Sequence, residues 1–171
     1  MRRGSGERIT SMHTQSHRPF RQRVLFWGCF TAGRLGPLVR IQGTMKTDNY
    51  ISTLSTHMQP YFDELFPDGS GIFMHDNAPC HKSLATKNFL GTGIQVLDWP
   101  PYSPDLNPIE NLWGVLKRKI KRIPRQSVAE MVSVTMSSWN EELTEVCKRL
   151  VESMPTRVDE CIKNKGGPTL Y

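Results

Sequence analysis

Apolar positions along the chain change their period several times, and each change marks an element. RVLFWGCF (23–30) and GPLVRIQG (36–43) are short runs rich in β-branched and aromatic residues, and the glycines of the intervening TAGRLG predict a hairpin or loop turn. From Thr47 to Phe66 the apolar residues fall at Tyr50, Ile51, Leu54, Met58, Tyr61, Phe62 and Leu65. That three-and-four spacing predicts a helix, with Thr47 or Asp48 as its N-cap. DGSG (68–71) breaks it. GIFMHDN (71–77) predicts a compact strand, KSLATKNFL (82–90) a short helix stopped at Gly91, and IQVLDW (94–99) another strand. Ile109, Leu112, Trp113, Leu116, Ile120 and Ile123 then share one helix face. Val128, Met131, Val132, Thr135, Trp139, Leu143, Val146, Leu150 and Met154 form a stripe over 127–154, predicting one long amphipathic helical segment packed on the core. Strand, strand, helix, strand, helix, strand, helix is the order of an α/β domain.

Composition divides the chain. Residues 1–22 are poor in apolar side chains and rich in Arg, Ser and His, which predicts a flexible or extended basic arm. Residues 23–125 carry the α/β pattern and 126–171 the C-terminal helical region. The longest apolar run, VLFWGCF (24–30), falls far short of the roughly 20 residues of a membrane helix. Arg2 and Arg3 are followed by polar residues, so no secretory signal and no membrane partner are expected. Cys29, Cys80, Cys147 and Cys161 form no CxxC pair and read as reduced thiols.

Charge narrows the function further. Residues 1–40 hold eight arginines against Glu7, and KRKIKRIPR (117–125) holds six bases and no acid. These stretches together carry +13 against a chain total of +6, so the remainder carries −7. Either run alone reads as a solvated face. Two separate basic patches on an acidic body favour a polyanion partner, most simply nucleic acid.

Two acids are candidates for chemistry. Asp76, in HDNAPCH (75–81), is expected at the carboxyl end of a strand, the edge where open α/β sheets bind ligands. An Asp-Asn pair also makes good turns, and that reading stands beside the first. Zinc at His75, Cys80 and His81 is disfavoured, because no second ligand pair lies at suitable spacing. In PYSPDLNPIENLWG (101–114), Asn107 suits an N-cap, Pro108 the first helical position and Glu110 the third. Local sequence therefore favours a capping box. Against it, Gly114, Lys117 and Lys121 lie within about 40° of Glu110 on the helix wheel, away from the apolar face. A carboxylate, a gap without a side chain and two lysines suit a phosphate chain running along the helix. Trp99, Pro100 and Pro101 would brace it. One aspartate after a strand and one glutamate at a helix start also suit hard cations. Phosphoryl transfer on nucleic acid often uses a pair of Mg²⁺ ions about 4 Å apart.

HDNAPCH, LDWPPYSPDLNPIENLWGVLKRKIK (97–121) and FWGCFTAGRLGPLVRIQG (26–43) closely resemble the catalytic domain of mariner-type (Tc/mariner) transposases, with a weaker echo in RRGSGER (2–8). The resemblance implies a ribonuclease H-like fold and a triad of two aspartates and a glutamate binding Mg²⁺ or Mn²⁺. It implies cleavage and strand transfer on DNA, a homodimer and a nuclear location. Asp76 matches the second aspartate and Glu110 the glutamate, with 33 residues between them, one fewer than is usual, and the FLGTGIQ loop (89–95) is where the shortfall is expected. Lys117, Arg118, Lys121 and Arg122 would contact phosphates. The family's first aspartate lies on a central strand upstream of RRGSGER, and this chain opens at Met1 without it. That strand would pair the first hairpin to the strand before Asp76. The expectation is an incomplete ribonuclease H-like domain whose metal site is weakened, with a catalytically dead DNA-binding remnant as the alternative. The isolated chain is expected not to cut DNA.

Overall fold

The computed structural model of the chain describes residues 23–100, 103 and 105–167, so the expected arm over 1–22 lies outside the described residues. The predicted hairpin forms from β1 (Leu25–Phe30) and β2 (Leu35–Ile41), which pair antiparallel with Leu25 opposite Ile41 and Phe30 opposite Leu35. The turn closes where the Thr31 N–H donates to the Arg34 carbonyl at 2.8 Å. Gly36 is required there, because a Cβ would stand 2.5 Å from Cys29 Sγ and 2.9 Å from the Cys29 carbonyl oxygen.

The helix expected over 47–66 is present with a wider middle: α1 (Thr47–Thr53), a π segment over Leu54–Met58, then α2 (Gln59–Leu65). Pro60 has no N–H to give the preceding turn and its ring crowds the carbonyl four residues back, a strain that a wider turn relieves. The N-cap is Lys46 rather than Thr47 or Asp48, and it makes no side-chain cap bond. Asp48 instead sits in the first turn, where its charge complements the positive end of the helix.

The later strands are shorter than predicted. β3 is only Ile72–Phe73 and β4 only Gln95–Val96, paired in parallel. The Leu97 N–H still donates to the Phe73 carbonyl at 2.9 Å, after which a side-chain bond takes over: Asn77 Nδ2 donates to the Trp99 carbonyl at 2.7 Å. A short α3 (Pro79–Lys82) precedes α4 (Leu84–Leu90), whose N-cap Ser83 accepts from the Thr86 N–H at 3.2 Å. Among the described residues the hairpin and the parallel pair are separate sheets.

Helix α5 (Pro108–Lys121) buries Leu112, Leu116 and Ile120, while Ile123, expected on that face, lies past its end and is exposed. The single segment expected over 127–154 is broken into α6 (Val128–Ser138), a 3₁₀ turn at Glu141–Leu143, α7 (Thr144–Glu152) and α8 (Met154–Lys163). The break falls at Trp139, whose indole N–H donates to the Gly36 carbonyl at 2.9 Å and whose ring stacks on Trp113 at 5.2 Å. These contacts hold Trp139 and Asn140 in non-helical backbone.

Two apolar clusters result. Tyr50, Leu54, Met58, Phe73 and Leu90 join the first helix to the parallel pair. Leu112, Leu116, Ile120, Leu143 and Cys147 join α5 to the C-terminal helices, with Phe30 and Leu35 of the hairpin packed against them. No helix among the described residues is long and apolar enough to cross a membrane.

Candidate active site

Asp76 was expected at the carboxyl end of its strand; β3 ends at Phe73 and Asp76 follows three residues on, in the loop. Its carboxylate closes that loop. Oδ1 accepts from the Ala78 N–H at 2.9 Å, and His81 Nδ1 stands 2.6 Å from the same oxygen and 3.1 Å from the Asp76 carbonyl. The turn reading of Asp76 is therefore correct for one oxygen. Among the described residues, Oδ2 has no hydrogen-bond partner, and the side chain is half exposed.

Behind Asp76 lies an aromatic stack. The His75 and His81 rings are 4.9 Å apart and nearly parallel, and Tyr50 lies 4.1 Å from His81. The Tyr50 hydroxyl and His75 Nδ1 share a hydrogen bond of 2.8 Å. Burial first, and then the neighbouring His81, bring the His75 pKa down to about 4 against the opposing pull of Asp76. Burial likewise pushes the Tyr50 phenol up. His75 is thus neutral near pH 7, which removes like-charge repulsion from the stack. His75 Nδ1 is thus engaged by Tyr50 and His81 Nδ1 by Asp76. Among the described residues no three His, Cys, Asp or Glu side chains group to hold a metal.

Beside this loop opens a cleft of about 620 Å³, lined by Asp76, His81, Lys82, Lys87, Asp98 and Trp99 among others. The Asn77–Trp99 bond ties the Asp76 loop to the start of the segment leading to Glu110. Pro101, expected to brace that segment, lies outside the described residues.

At the start of α5, Asn107 is the N-cap and Pro108 takes the first turn, as predicted. The cap bond, from the Ile109 N–H to Asn107 Oδ1, is long at 3.4 Å. The capping box does not form: Glu110 is exposed, and among the described residues its carboxylate accepts no hydrogen bond. Glu110 is thus left open at a helix N-terminus, where oriented N–H groups favour negative charge.

Farther along α5 the six bases of KRKIKRIPR separate by role. Lys119 pairs with Glu142 at 2.5 Å, and Arg125 Nη1 donates to the Ile120 and Ile123 carbonyls at 2.6 and 3.0 Å, closing the helix end. Lys117, Arg118, Lys121 and Arg122 are exposed and have no ion pair among the described residues. Gly114 has no packing reason to be glycine, since an added Cβ would meet only Arg118 Nη1, at 3.5 Å. An open, cationic face beside Glu110 is what the wheel predicted.

Sequence reasoning missed Tyr50 and Arg157 as parts of this region, and weighed His81 only as a zinc ligand. The Asp-to-His spacing across the Pro79 helix start could have shown the His81 contact, because a turn there returns the chain five residues on toward Asp76. Arg157 gave no local signal at all. It donates to the Asp105 carbonyl and to Asn111 Oδ1, both at 2.8 Å, on either side of Glu110.

Known proteins match most of the chain. The family described as "DDE superfamily endonuclease" matches residues 2–132. The transposable element Tcb1 transposase of Caenorhabditis briggsae is 37% identical over 149 residues, covering 86% of this chain and 54% of the relative. The Tc1 transposase of Caenorhabditis elegans is 37% identical over 150 residues with the same coverage. The chain thus spans about half the length of the curated relatives it matches. The Mos1 transposase paired-end complex with left transposon end aligns with a TM-score of 0.78 at 21% identity, over 98% of this chain and 52% of that one. The Mos1 catalytic domain with raltegravir and Mg aligns with a TM-score of 0.74 at 22% identity, over 85% and 77%. These likenesses give the fold: a ribonuclease H-like α/β domain with a helical C-terminus.

Proposed function

Because this chain belongs to the DDE superfamily endonucleases, among the Tc1/mariner transposases, we propose that it carries part of a metal-dependent DNA cleavage and strand-transfer site, with Asp76 and Glu110 as ligands. The observation that carries this is the state of the two carboxylates. Each leaves an oxygen without a protein partner among the described residues, although local chemistry offered both a use in capping. Carboxylate oxygens on a braced loop and a helix start fit Mg²⁺ or Mn²⁺, and Mos1 catalytic-domain structures with Mg and with Mn are among the similar folds. Bound there, such ions would neutralise charge building on the phosphate and activate the attacking oxygen.

The chain's own residues do the rest. His81 and the Ala78 N–H hold Asp76 in one orientation. Lys117, Arg118, Lys121 and Arg122 take the phosphates of DNA along the open face of α5. An element has two ends, so the reading extends to two copies acting together, and to action in the nucleus, where the DNA of a eukaryotic cell lies. Two carboxylates offset the charge of one divalent ion but not the mutual repulsion of a second, so a single weak site is expected. Calorimetric titration with Mn²⁺ tests the assignment: Asp76→Asn and Glu110→Gln should each remove saturable binding. Binding that survives both substitutions would end it.

A further inference from the structure

We propose that Arg157 of α8 is a positioning residue for Glu110, an inference that rests on the reading of Glu110 as a metal ligand. Arg157 is 1% exposed and is the buried residue of its helix, while Val158 and Ile162 beside it are 43% and 69% exposed. A helix that docks through a buried guanidinium rather than an apolar stripe is held by directed bonds. Its Nε donates to Ser153 Oγ at 2.9 Å, within the C-terminal helices, and its Nη1 reaches Asp105 O and Asn111 Oδ1. Those acceptors lie 52 and 46 residues away in the chain, and they bracket the Asn107 cap and Glu110.

The local devices at this helix start are weak. The Asn107 cap bond is long, and the Glu110 back-bond is not made. A bond to the carbonyl before the cap and another to the side chain after Glu110 fix the turn from both sides. A charged donor with planar, directional N–H groups makes such bonds strong and specific in angle. Arg157 therefore aims the carboxylate without touching it, and the C-terminal helices become part of the site.

The test compares the full chain with Arg157→Lys, which keeps the charge but not the fork. Three measurements are made: Mn²⁺ affinity, hydrogen exchange over 105–112 against 50–58, and thermal unfolding. The expected result is a fall in Mn²⁺ affinity of roughly ten- to a hundredfold, the usual effect of losing a group that orients a metal ligand. Exchange should quicken over 105–112 and not over 50–58. A purely structural arginine would lower the melting temperature and leave the affinity of the folded protein unchanged. That outcome, with Glu110→Gln still abolishing binding, overturns this inference and leaves the metal reading standing. If the unaltered chain shows no Glu110-dependent binding, the metal reading falls, and exchange alone decides: faster exchange confined to 105–112 upholds the positioning contact, and unchanged exchange overturns it. Should Arg157→Lys fail to fold, Asn111→Ala removes one acceptor and is judged by the same outcomes.

Discussion

Replacing Lys117 and Lys121 together by alanine should halve the salt dependence of DNA binding contributed by α5. Four cations on that helix, Lys117, Arg118, Lys121 and Arg122, are exposed and without an ion pair among the described residues. Each phosphate neutralised on duplex DNA contributes about −0.9 to the slope of log K against log salt. Four contacts therefore give about −3.6, a loss of about 150-fold in affinity between 50 and 200 mM salt. Two contacts give about −1.8, and about 12-fold over the same range. Fluorescence anisotropy with a random-sequence duplex of a few helical turns measures both slopes, and their difference isolates α5 from any other cation in the chain. Lys119→Ala is the control: Glu142 already balances that charge at 2.5 Å, so its removal should move the slope by less than about half a unit. A double variant with the unaltered slope, or a Lys119 variant that changes it as much, would refute the assignment of the open face to phosphate.

Other consequences can be checked on the same protein. Gly114→Ala should stabilise the chain by about 1 kcal/mol, raising the melting temperature by roughly 2–4 °C, because the methyl meets nothing nearer than Arg118 Nη1 at 3.5 Å; a lower melting temperature would show a steric constraint at this position. Burial pushes the Cys29 thiol up to about 12 and the Cys147 thiol up to about 11, from an ordinary 9.0. The native state then holds more protons than the unfolded one above pH 9, so stability present below that pH falls as pH rises toward 11. Urea midpoints at pH 8 and 10.5 should separate more for the unaltered chain than for a Cys29→Ala/Cys147→Ala variant, and equal separations would contradict the burial argument.

Much of this was legible in the sequence, for reasons that differ by element. The β1–β2 hairpin was readable from its β-rich runs and turn glycines, and the apolar face of α5 because Leu112, Leu116 and Ile120 recur at helical spacing and are buried. The free and engaged bases of 117–125 were not separable by composition; Glu142 and the Ile120 and Ile123 carbonyls made the division. β3 and β4 shrank because an apolar run shows what is buried, not how far two backbones remain in register. The Trp139 break was hidden because its indole keeps the helical stripe while a bond to Gly36 O redirects the chain. At Glu110 the local pattern favoured a closed capping box, and the structure leaves the carboxylate open. Arg157 was invisible, since both acceptors on the Glu110 turn come from a distant part of the chain.

The metal proposal puts one divalent ion between Asp76 and Glu110. Crystals of the full chain soaked in Mn²⁺ and measured at the manganese absorption edge test it most directly. An anomalous peak in contact with the Asp76 and Glu110 carboxylates is expected, and it should disappear in Glu110→Gln crystals. A well-ordered Mn²⁺ bound elsewhere, or the two carboxylates standing too far apart for one ion to touch both, would contradict it.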